Sequence, residues 1–169
     1  MEVEIKFLEI DKEKVIEKLE KLGAKKVFEG YIIDLFFDFE NLELTKNDKL
    51  LRLRKLENKV KLTFKEKLTQ EKCKVTNELE LEVGDFEIMK NILEKIGLKV
   101  IWKVEKHRTS FVLENARFEI DSFPGIPTFL EIEAENEKEL EKYSKLLGFS
   151  LKEGKPWTIR EVLKYYKKL

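Results

Sequence analysis

The sequence is poor in the side chains that build disulfide bonds and zinc sites. Its 169 residues contain one cysteine, Cys73, and one histidine, His107. A single cysteine excludes an internal disulfide and a zinc site built from cysteines. A single histidine excludes a histidine cluster in the same way.

Long apolar runs and an excess of one charge sign are also missing. No run approaches the roughly 20 apolar residues of a membrane-spanning helix, and the sequence starts with a charged segment rather than a signal peptide. The 34 basic residues balance 34 acidic ones, so the general basic field that attracts duplex nucleic acid is absent. We therefore expect a cytoplasmic protein that binds neither a membrane nor duplex nucleic acid.

Arginine is scarce among the basic residues. Five of the 34 are arginine, and four of these five lie on segments predicted to be strands: Arg52, Arg54, Arg108 and Arg117. The planar guanidinium group suits bidentate phosphate recognition. Because the chain otherwise uses lysine for surface charge, this choice indicates phosphate binding on those strands.

Three segments repeat one plan, which predicts a strand followed by a helix. Each helix has Asp or Asn as its N-cap, an apolar stripe, and a glycine just past its end at the same spacing. The predicted caps and glycines are Asp11 with Gly23, Asp85 with Gly97, and Asn136 with Gly148. The stripe of the second helix is Met89, Ile92, Leu93 and Ile96. A fourth helix is predicted from about Thr158 to Tyr166.

The remaining chain alternates between apolar and charged residues, which is typical of strands. About eight strands are predicted, mostly joined by turns, and this favours an α+β fold with an antiparallel sheet and helices against its apolar face. Residues 41–49 and 68–75 are predicted to be loops. No low-complexity linker divides the chain, so we expect a single domain over residues 1–169.

The first strand carries a charged triplet on one face. Glu2, Glu4 and Lys6 alternate with apolar residues, so both carboxylates and the ammonium group project from the same side. Two adjacent carboxylates repel each other unless a cation lies between them. The triplet therefore predicts a divalent metal ion that bridges to a bound phosphate.

The other charged strands admit two interpretations. Alternation alone is also expected of a sheet with one face in water. The signs, however, are segregated: acidic residues dominate some strands and basic residues others, whereas random surface decoration would mix them. A charged face enclosed within a curled sheet would need partners or a ligand, and a polyphosphate with divalent cations satisfies both signs. We favour this second interpretation.

An ordered series of motifs resembles the CYTH superfamily, also called triphosphate tunnel metalloenzymes. The resemblance covers nearly the whole chain. Its motifs are Glu2-x-Glu4-x-Lys6, Asp34-Leu35-Phe36-Phe37-Asp38, Arg52-x-Arg54, Leu62-Thr63-Phe64-Lys65, Glu78-x-Glu80, Lys106-x-Arg108, Glu119-Ile120-Asp121 and Glu131-Ile132-Glu133.

This resemblance implies an eight-stranded antiparallel β-barrel that forms a tunnel with a charged interior, flanked by about four helices. It implies Mg²⁺ or Mn²⁺ as cofactor, since these hard cations favour oxygen ligands. The implied metal ligands are Glu2, Glu4, Asp121, Glu131 and Glu133, with Glu78, Glu80 and Glu119 as additional acidic residues. The implied triphosphate ligands are Lys6, Arg52, Arg54, Lys61, Lys65, Lys106 and Arg108. Catalysis would rest on Glu2, Glu4, Lys6 and Lys65.

The resemblance leaves the reaction open. The C-terminal half is most similar to class IV adenylate cyclases, which convert ATP to cyclic AMP and pyrophosphate, although Thr158-Ile159 replaces the Ser-Tyr of that group. The alternatives are a triphosphatase acting on thiamine triphosphate, inorganic tripolyphosphate or a nucleoside triphosphate, and a module that binds nucleotide or polyphosphate without turnover. The resemblance is also compatible with a homodimer.

Overall fold

The structure is a computed structural model that describes residues 2–168, apart from the side chain of Gln70. Within that range the chain forms eight strands and five helices. The strands are β1 (Glu2–Phe7), β2 (Lys25–Asp38), β3 (Lys49–Lys55), β4 (Val60–Gln70), β5 (Lys74–Val83), β6 (Lys99–Leu113), β7 (Ala116–Ser122) and β8 (Phe129–Ala134). The helices are α1 (Lys12–Lys21), α2 (Glu43–Lys46), α3 (Phe86–Lys95), α4 (Glu137–Leu146) and α5 (Ile159–Tyr165).

The eight strands form one sheet that closes in a ring. Their order is β1-β5-β4-β3-β2-β6-β7-β8, and β8 pairs with β1 in antiparallel fashion. The predicted α+β fold with an eight-stranded antiparallel sheet closed on itself is therefore confirmed. None of the described helices is both long and apolar enough to cross a membrane.

The repeated helix signals are also confirmed. In α1, α3 and α4 the side chain of the predicted cap accepts a hydrogen bond from the backbone N–H three residues later. The glycine after each helix has a positive φ, which side chains disfavour. The C-terminal helix begins after Thr158, which forms a capping box with Glu161.

Both predicted loops are partly wrong. Residues 41–49 contain the one-turn helix α2, because the Asp38 carboxylate accepts hydrogen bonds from the backbone N–H groups of Leu44 and Thr45. This fifth helix exceeds the predicted number. In the segment 68–75, β4 continues to Gln70 and β5 already begins at Lys74.

The described chain forms two compact units, each with its own apolar core. The first unit contains residues 2–29, 68–75 and 107–168, and the second contains residues 30–67 and 76–106. In the first unit, Val15 and Leu19 of α1 and Leu140 and Tyr143 of α4 are buried in the same core as β1, β7 and β8. A single domain over residues 1–169 remains a prediction.

The core of the second unit is smaller, and α3 contributes less to it than its stripe predicts. Leu93 is buried against Leu35, Phe37 and Leu53, with Met89 packed beside it. Ile92 and Ile96, which belong to the same predicted stripe, are 46% and 66% exposed. The two isoleucines therefore lie on the part of the stripe that is not packed in this core.

Candidate functional site

Apart from Glu2, the predicted site residues fall into two clusters, one in each compact unit. We call the first the acidic cluster; it consists of Glu4, Lys6, Lys74, Arg108, Glu119, Asp121, Glu131 and Glu133. We call the second the basic cluster; it consists of Asp34, Arg52, Arg54, Lys61, Lys65, Glu78, Glu80 and Lys106.

Strand register assembles the acidic cluster. Glu4 lies opposite Glu133, and Lys6 lies opposite Glu131, across β1 and β8. On the other side of β8, Glu131 lies opposite Glu119 of β7. Because directly opposed residues project from the same face of a sheet, the alternation within each strand brings these charges together. The apolar residues between them face the helices.

Three carboxylates of this cluster offer a set of metal ligands. One oxygen each from Glu4, Glu131 and Glu133 lies within 4.8 Å of the others. Such an all-oxygen set suits a hard divalent cation, so the residues present fit Mg²⁺ or Mn²⁺. Among the described residues, this group does not include Glu2, which is half-buried at the start of β1.

Two lysines share the carboxylate of Glu4. The Nζ of Lys6 lies 2.8 Å from Oε1 of Glu4 and also contacts Glu131, while the Nζ of Lys74 lies 2.5 Å from the same oxygen of Glu4. Burial alone would lower the pKa of Lys6, but attraction by Glu131 and Glu4 outweighs it and raises the pKa above its usual range. Lys6 therefore remains a cation and is unsuited to act as a general base.

Arg108 fixes the opposite side of the acidic cluster. Its Nε and Nη2 each donate to one oxygen of Asp121 at 2.6 Å, and its guanidinium group lies 3.6 to 3.7 Å from Glu119 and Glu131. Burial opposes the charged form, yet Asp121 and the neighbouring glutamates raise the pKa of Arg108 well above its usual value. Asp121, a predicted metal ligand, is thus held by a guanidinium group.

The burial of these charges argues against a solvated face. The side chains of Glu4, Lys6, Arg108 and Asp121 are each less than a tenth exposed. The cluster holds five carboxylates and three basic groups, and half-exposed Arg117 adds a fourth cation at its edge, 3.7 Å from Glu119 and 3.9 Å from Glu133. Carboxylates therefore exceed basic groups by one. Buried charge in excess of its partners is costly unless a counter-ion neutralises it, and a cation held by Glu4, Glu131 and Glu133 would do so.

The basic cluster contains one buried bidentate ion pair. Arg54 donates from Nε and Nη2 to the two oxygens of Asp34 at 2.7 and 2.8 Å. Burial raises the pKa of the Asp34 carboxyl group, but Arg54, with smaller contributions from Arg52 and Lys106, lowers it far below its usual range. Asp34 therefore stays ionised and holds Arg54 in a fixed orientation.

The rest of the basic cluster is more accessible. Lys61 lies 2.5 Å from Glu80, and Lys65 lies 2.5 Å from Glu78. Arg52 lies 4.0 Å from Glu80, and these side chains are between 13% and 32% exposed. Five basic groups face three carboxylates in this cluster, so it has an excess of two positive charges that an anion would neutralise.

Four polar residues that support the clusters were given no role from the sequence, although Asp34 and Thr63 belong to the motifs named above. Asp34 orients Arg54, Lys74 contacts Glu4, Thr63 donates to Glu80, and Ser110 donates to Glu119. Lys74 was not predicted as a site residue because the sequence of residues 68–75 predicts a loop. Once β5 begins at Lys74, its alternation with Glu78 and Glu80 puts Lys74 on the charged face.

Comparison with known sequences finds a matching family model and a relative. The model of the CYTH domain family matches residues 1–147. A relative from Methanocaldococcus jannaschii, named "Putative adenylate cyclase MJ0240", is 31% identical over 153 residues, which are 87% of this chain and 87% of that protein.

Solved structures share the fold. The PH1012 protein from Pyrococcus horikoshii OT3 has a TM-score of 0.81 at 30% identity, over 95% of this chain and 98% of that chain. HpAC1 from Hippeastrum, described as a "putative adenylyl cyclase" with a dominant triphosphatase activity, has a TM-score of 0.71 at 18% identity, over 100% of this chain and 97% of that chain. At that identity the second likeness concerns the fold alone.

Proposed function

Because the chain belongs to the CYTH family, we propose that it is a divalent-metal-dependent enzyme acting on a small-molecule triphosphate. The observation that carries the proposal is the opposite charge excess of the two clusters. Carboxylates exceed basic groups in the acidic cluster even when Arg117 at its edge is counted, and basic groups exceed carboxylates by two in the basic cluster. A divalent cation and a polyanion are the ligands that this distribution favours.

The acidic cluster is the proposed metal site. Glu4, Glu131 and Glu133 are the first ligands, and Glu2 and Asp121 are proposed as additional ones. A bound Mg²⁺ or Mn²⁺ would neutralise phosphate charge and activate the attacking oxygen nucleophile. Lys6 and Arg108, whose raised pKa values keep them charged, would bind phosphate oxygens as fixed cations. No proton transfer is assigned to either side chain.

The basic cluster is the proposed phosphate-binding set. Arg52, Arg54, Lys61, Lys65 and Lys106 would contact the phosphate chain. Arg54 is already oriented by Asp34, so it needs little reorganisation on binding. Lys61 and Lys65 are held by Glu80 and Glu78, whose carboxylates a phosphate group would have to displace.

Cyclisation of ATP is the reaction to test first. In that reaction the 3′-hydroxyl oxygen of ATP attacks the α-phosphorus, and pyrophosphate leaves. The supporting likeness is the 31% identity to a relative from Methanocaldococcus jannaschii that is named as an adenylate cyclase. The same clusters would also suit hydrolysis, because both reactions require a neutralised triphosphate and an activated oxygen nucleophile.

Hydrolysis of a triphosphate is the second candidate, and the C-terminal segment favours it. Thr158 and Glu161 belong to the segment that resembles adenylate cyclases. In this chain they form the capping box of α5, with Thr158 N–H donating to Glu161 at 2.7 Å. The Ser-Tyr-x-Glu segment of adenylate cyclases predicts the same capping box, so the difference that bears on the reaction is Ile159, which replaces Tyr. HpAC1, a protein of this fold, is described as a putative adenylyl cyclase with a dominant triphosphatase activity.

The reaction can be identified by product analysis. Purified protein is incubated with ATP, thiamine triphosphate or tripolyphosphate, together with Mg²⁺ or Mn²⁺. Cyclic AMP would support the cyclase and released phosphate the triphosphatase. Binding of these compounds without any product would reject both enzymatic functions and leave a binding module. The five carboxylates of the acidic cluster argue against that last outcome, since anion binding alone does not need them.

A further inference from the structure

Two aromatic rings stack on the charged face of the second compact unit. The ring centroids of Phe36 and Trp102 lie 4.9 Å apart, with an angle of 25° between the ring planes. Phe36 lies opposite Arg52 across β2 and β3, and directly opposed residues project from the same face of a sheet. Because Trp102 stacks on Phe36, both rings lie on the face that carries the basic cluster.

The alternation of side chains separates this pair from the apolar core of the same unit. Leu35 and Phe37, which flank Phe36 in β2, are buried with Leu53 in that core. Successive side chains of a strand project to opposite faces, so Phe36 points away from the core and toward the charged groups. Packing of the core that α3 covers therefore does not account for the stacked pair.

The aromatic pair lies at one end of the proposed phosphate-binding set. On β2, Phe36 is two residues from Asp34, the partner of Arg54. On the neighbouring strand β6, Trp102 is four residues from Lys106. These separations correspond to about 7 Å and about 13 Å along a strand. The arrangement suits a molecule in which a planar ring is joined to a phosphate chain.

The two rings differ in exposure, which gives them different roles. Phe36 is buried, with 6% of its surface exposed, whereas Trp102 is partly exposed. Phe36 therefore supports the indole group, and part of the indole group stays accessible to a ligand. Stacking on an aromatic side chain is a common way to bind a nucleobase, and it does not require hydrogen bonds to the base.

We propose that Trp102, supported by Phe36, stacks on an aromatic ring of the substrate, so that the substrate is a ring-bearing triphosphate rather than inorganic tripolyphosphate. This inference rests on the proposed function, because it assigns the part of the substrate beyond the phosphate chain. ATP and thiamine triphosphate both have this chemistry. A ring bound at Trp102 would direct its phosphates toward Arg52 and the rest of the basic cluster.

Tryptophan fluorescence tests the stacking. The chain has two tryptophans, Trp102 and Trp157, so Trp157→Phe leaves Trp102 as the single indole group. With Ca²⁺ in place of Mg²⁺ to limit turnover, ATP or thiamine triphosphate should quench its fluorescence, and tripolyphosphate should not. The compound that quenches at the lower concentration identifies the preferred ring. Trp102→Phe is the matched control, because it retains only Trp157, whose fluorescence should not respond.

Binding affinities separate the ring from the phosphate chain. Calorimetric titration under the same conditions should show that Trp102→Ala binds the ring-bearing compound about 10-fold or more weakly and binds tripolyphosphate as tightly as the wild type. Trp102→Phe should retain most of the affinity, because it keeps an aromatic ring. Circular dichroism checks that each variant is folded, and the fluorescence test does not depend on the alanine variant.

The outcomes distinguish this inference from the proposed function. Binding of tripolyphosphate without quenching of Trp102 by either ring-bearing compound overturns the inference alone. So does an equal loss of affinity for all three compounds in a folded Trp102→Ala variant. If none of the three compounds binds to the wild-type protein, the proposed function itself is rejected, and this inference with it.

Discussion

At the scale of the residue, the structure is organised by ionised side chains that are buried in contact with one another. The Asp34–Arg54 pair and the Lys6–Glu131 pair are each nine-tenths or more buried. Such pairs contribute little net stability compared with apolar residues of the same volume. The presence of ion pairs that add so little stability indicates a role in binding, because charges that are already fixed in position need little reorganisation when a ligand binds. Removal of one partner is nevertheless costly, because the other charge stays buried without compensation.

The Asp34–Arg54 pair gives a prediction on stability. Asp34→Asn should lower the free energy of unfolding at pH 7 by about 3 kcal/mol, because it leaves the Arg54 charge without its buried partner. Asp48→Asn is the control: Asp48 pairs with Lys67 at the surface and is 61% exposed, so its loss should cost less than about 1 kcal/mol. Urea unfolding measures the free energy of unfolding of both variants. An equal loss in the two would contradict the claim that burial makes the Asp34–Arg54 pair costly to break.

The same pair sets the sign of a pH dependence. The pKa of Asp34 is lower in the folded protein than in the unfolded chain, so the ionised carboxylate stabilises the fold. This contribution is fully present above the unfolded pKa of about 4 and is lost as the pH falls toward the folded pKa. The stability difference between wild type and Asp34→Asn should therefore be smaller at pH 3 than at pH 7. A difference that grows on acidification would contradict this sign.

At the scale of the element, local signals in the sequence predict most of the fold. Asp11, Asp85 and Asn136 identify the starts of three helices because capping is a local interaction. The alternation of charge predicts which side chains share a face. The sequence does not predict the exposure of Ile92, because that depends on which part of an apolar stripe reaches the sheet.

The sequence also does not predict contacts between distant segments of the chain. Lys155 forms two backbone hydrogen bonds with Lys6 at 2.9 and 2.7 Å, which pair the C-terminal segment with β1 as an isolated antiparallel bridge. No local pattern indicates this pairing. It holds the C-terminal segment beside a residue of the acidic cluster.

Gly154 provides a prediction for this contact. A Cβ atom at this position would lie 2.3 Å from Cδ1 of Ile5 and 2.6 Å from its Cγ1. Ile5 is fully buried and has no room to move, so Gly154→Ala should lower the free energy of unfolding by about 1–3 kcal/mol. Gly84→Ala is the matched control, since nothing lies within 4 Å of its added Cβ. Thermal unfolding compares the two, and similar melting temperatures would contradict the close packing at Ile5.

At the scale of the whole molecule, a closed sheet allows residues far apart in sequence to form one charged face. Closure pairs β1 with β8, and the register then brings Glu4 to Glu131 and Glu133. Alternation on the first strand predicted a metal at Glu4, whereas Glu131 and Glu133 were predicted as ligands only through resemblance to a family, because periodicity alone cannot pair the first strand with the last. Alternation also placed Lys6 beside Glu4, whereas Lys74 could be located only once β5 was known to begin at that residue.

The metal dependence of triphosphate turnover tests the central claim most directly. The rate of product formation from ATP and from tripolyphosphate is measured in EDTA and then with increasing Mg²⁺ or Mn²⁺, for wild type, Glu4→Gln and Glu82→Gln. Glu82 is an exposed residue paired with Lys59 and serves as the matched control. We expect no turnover in EDTA, saturable activation by the metal, and a loss of about 100-fold or more in Glu4→Gln alone. Turnover in EDTA equal to that with metal, or full activity of a folded Glu4→Gln variant, would contradict the account.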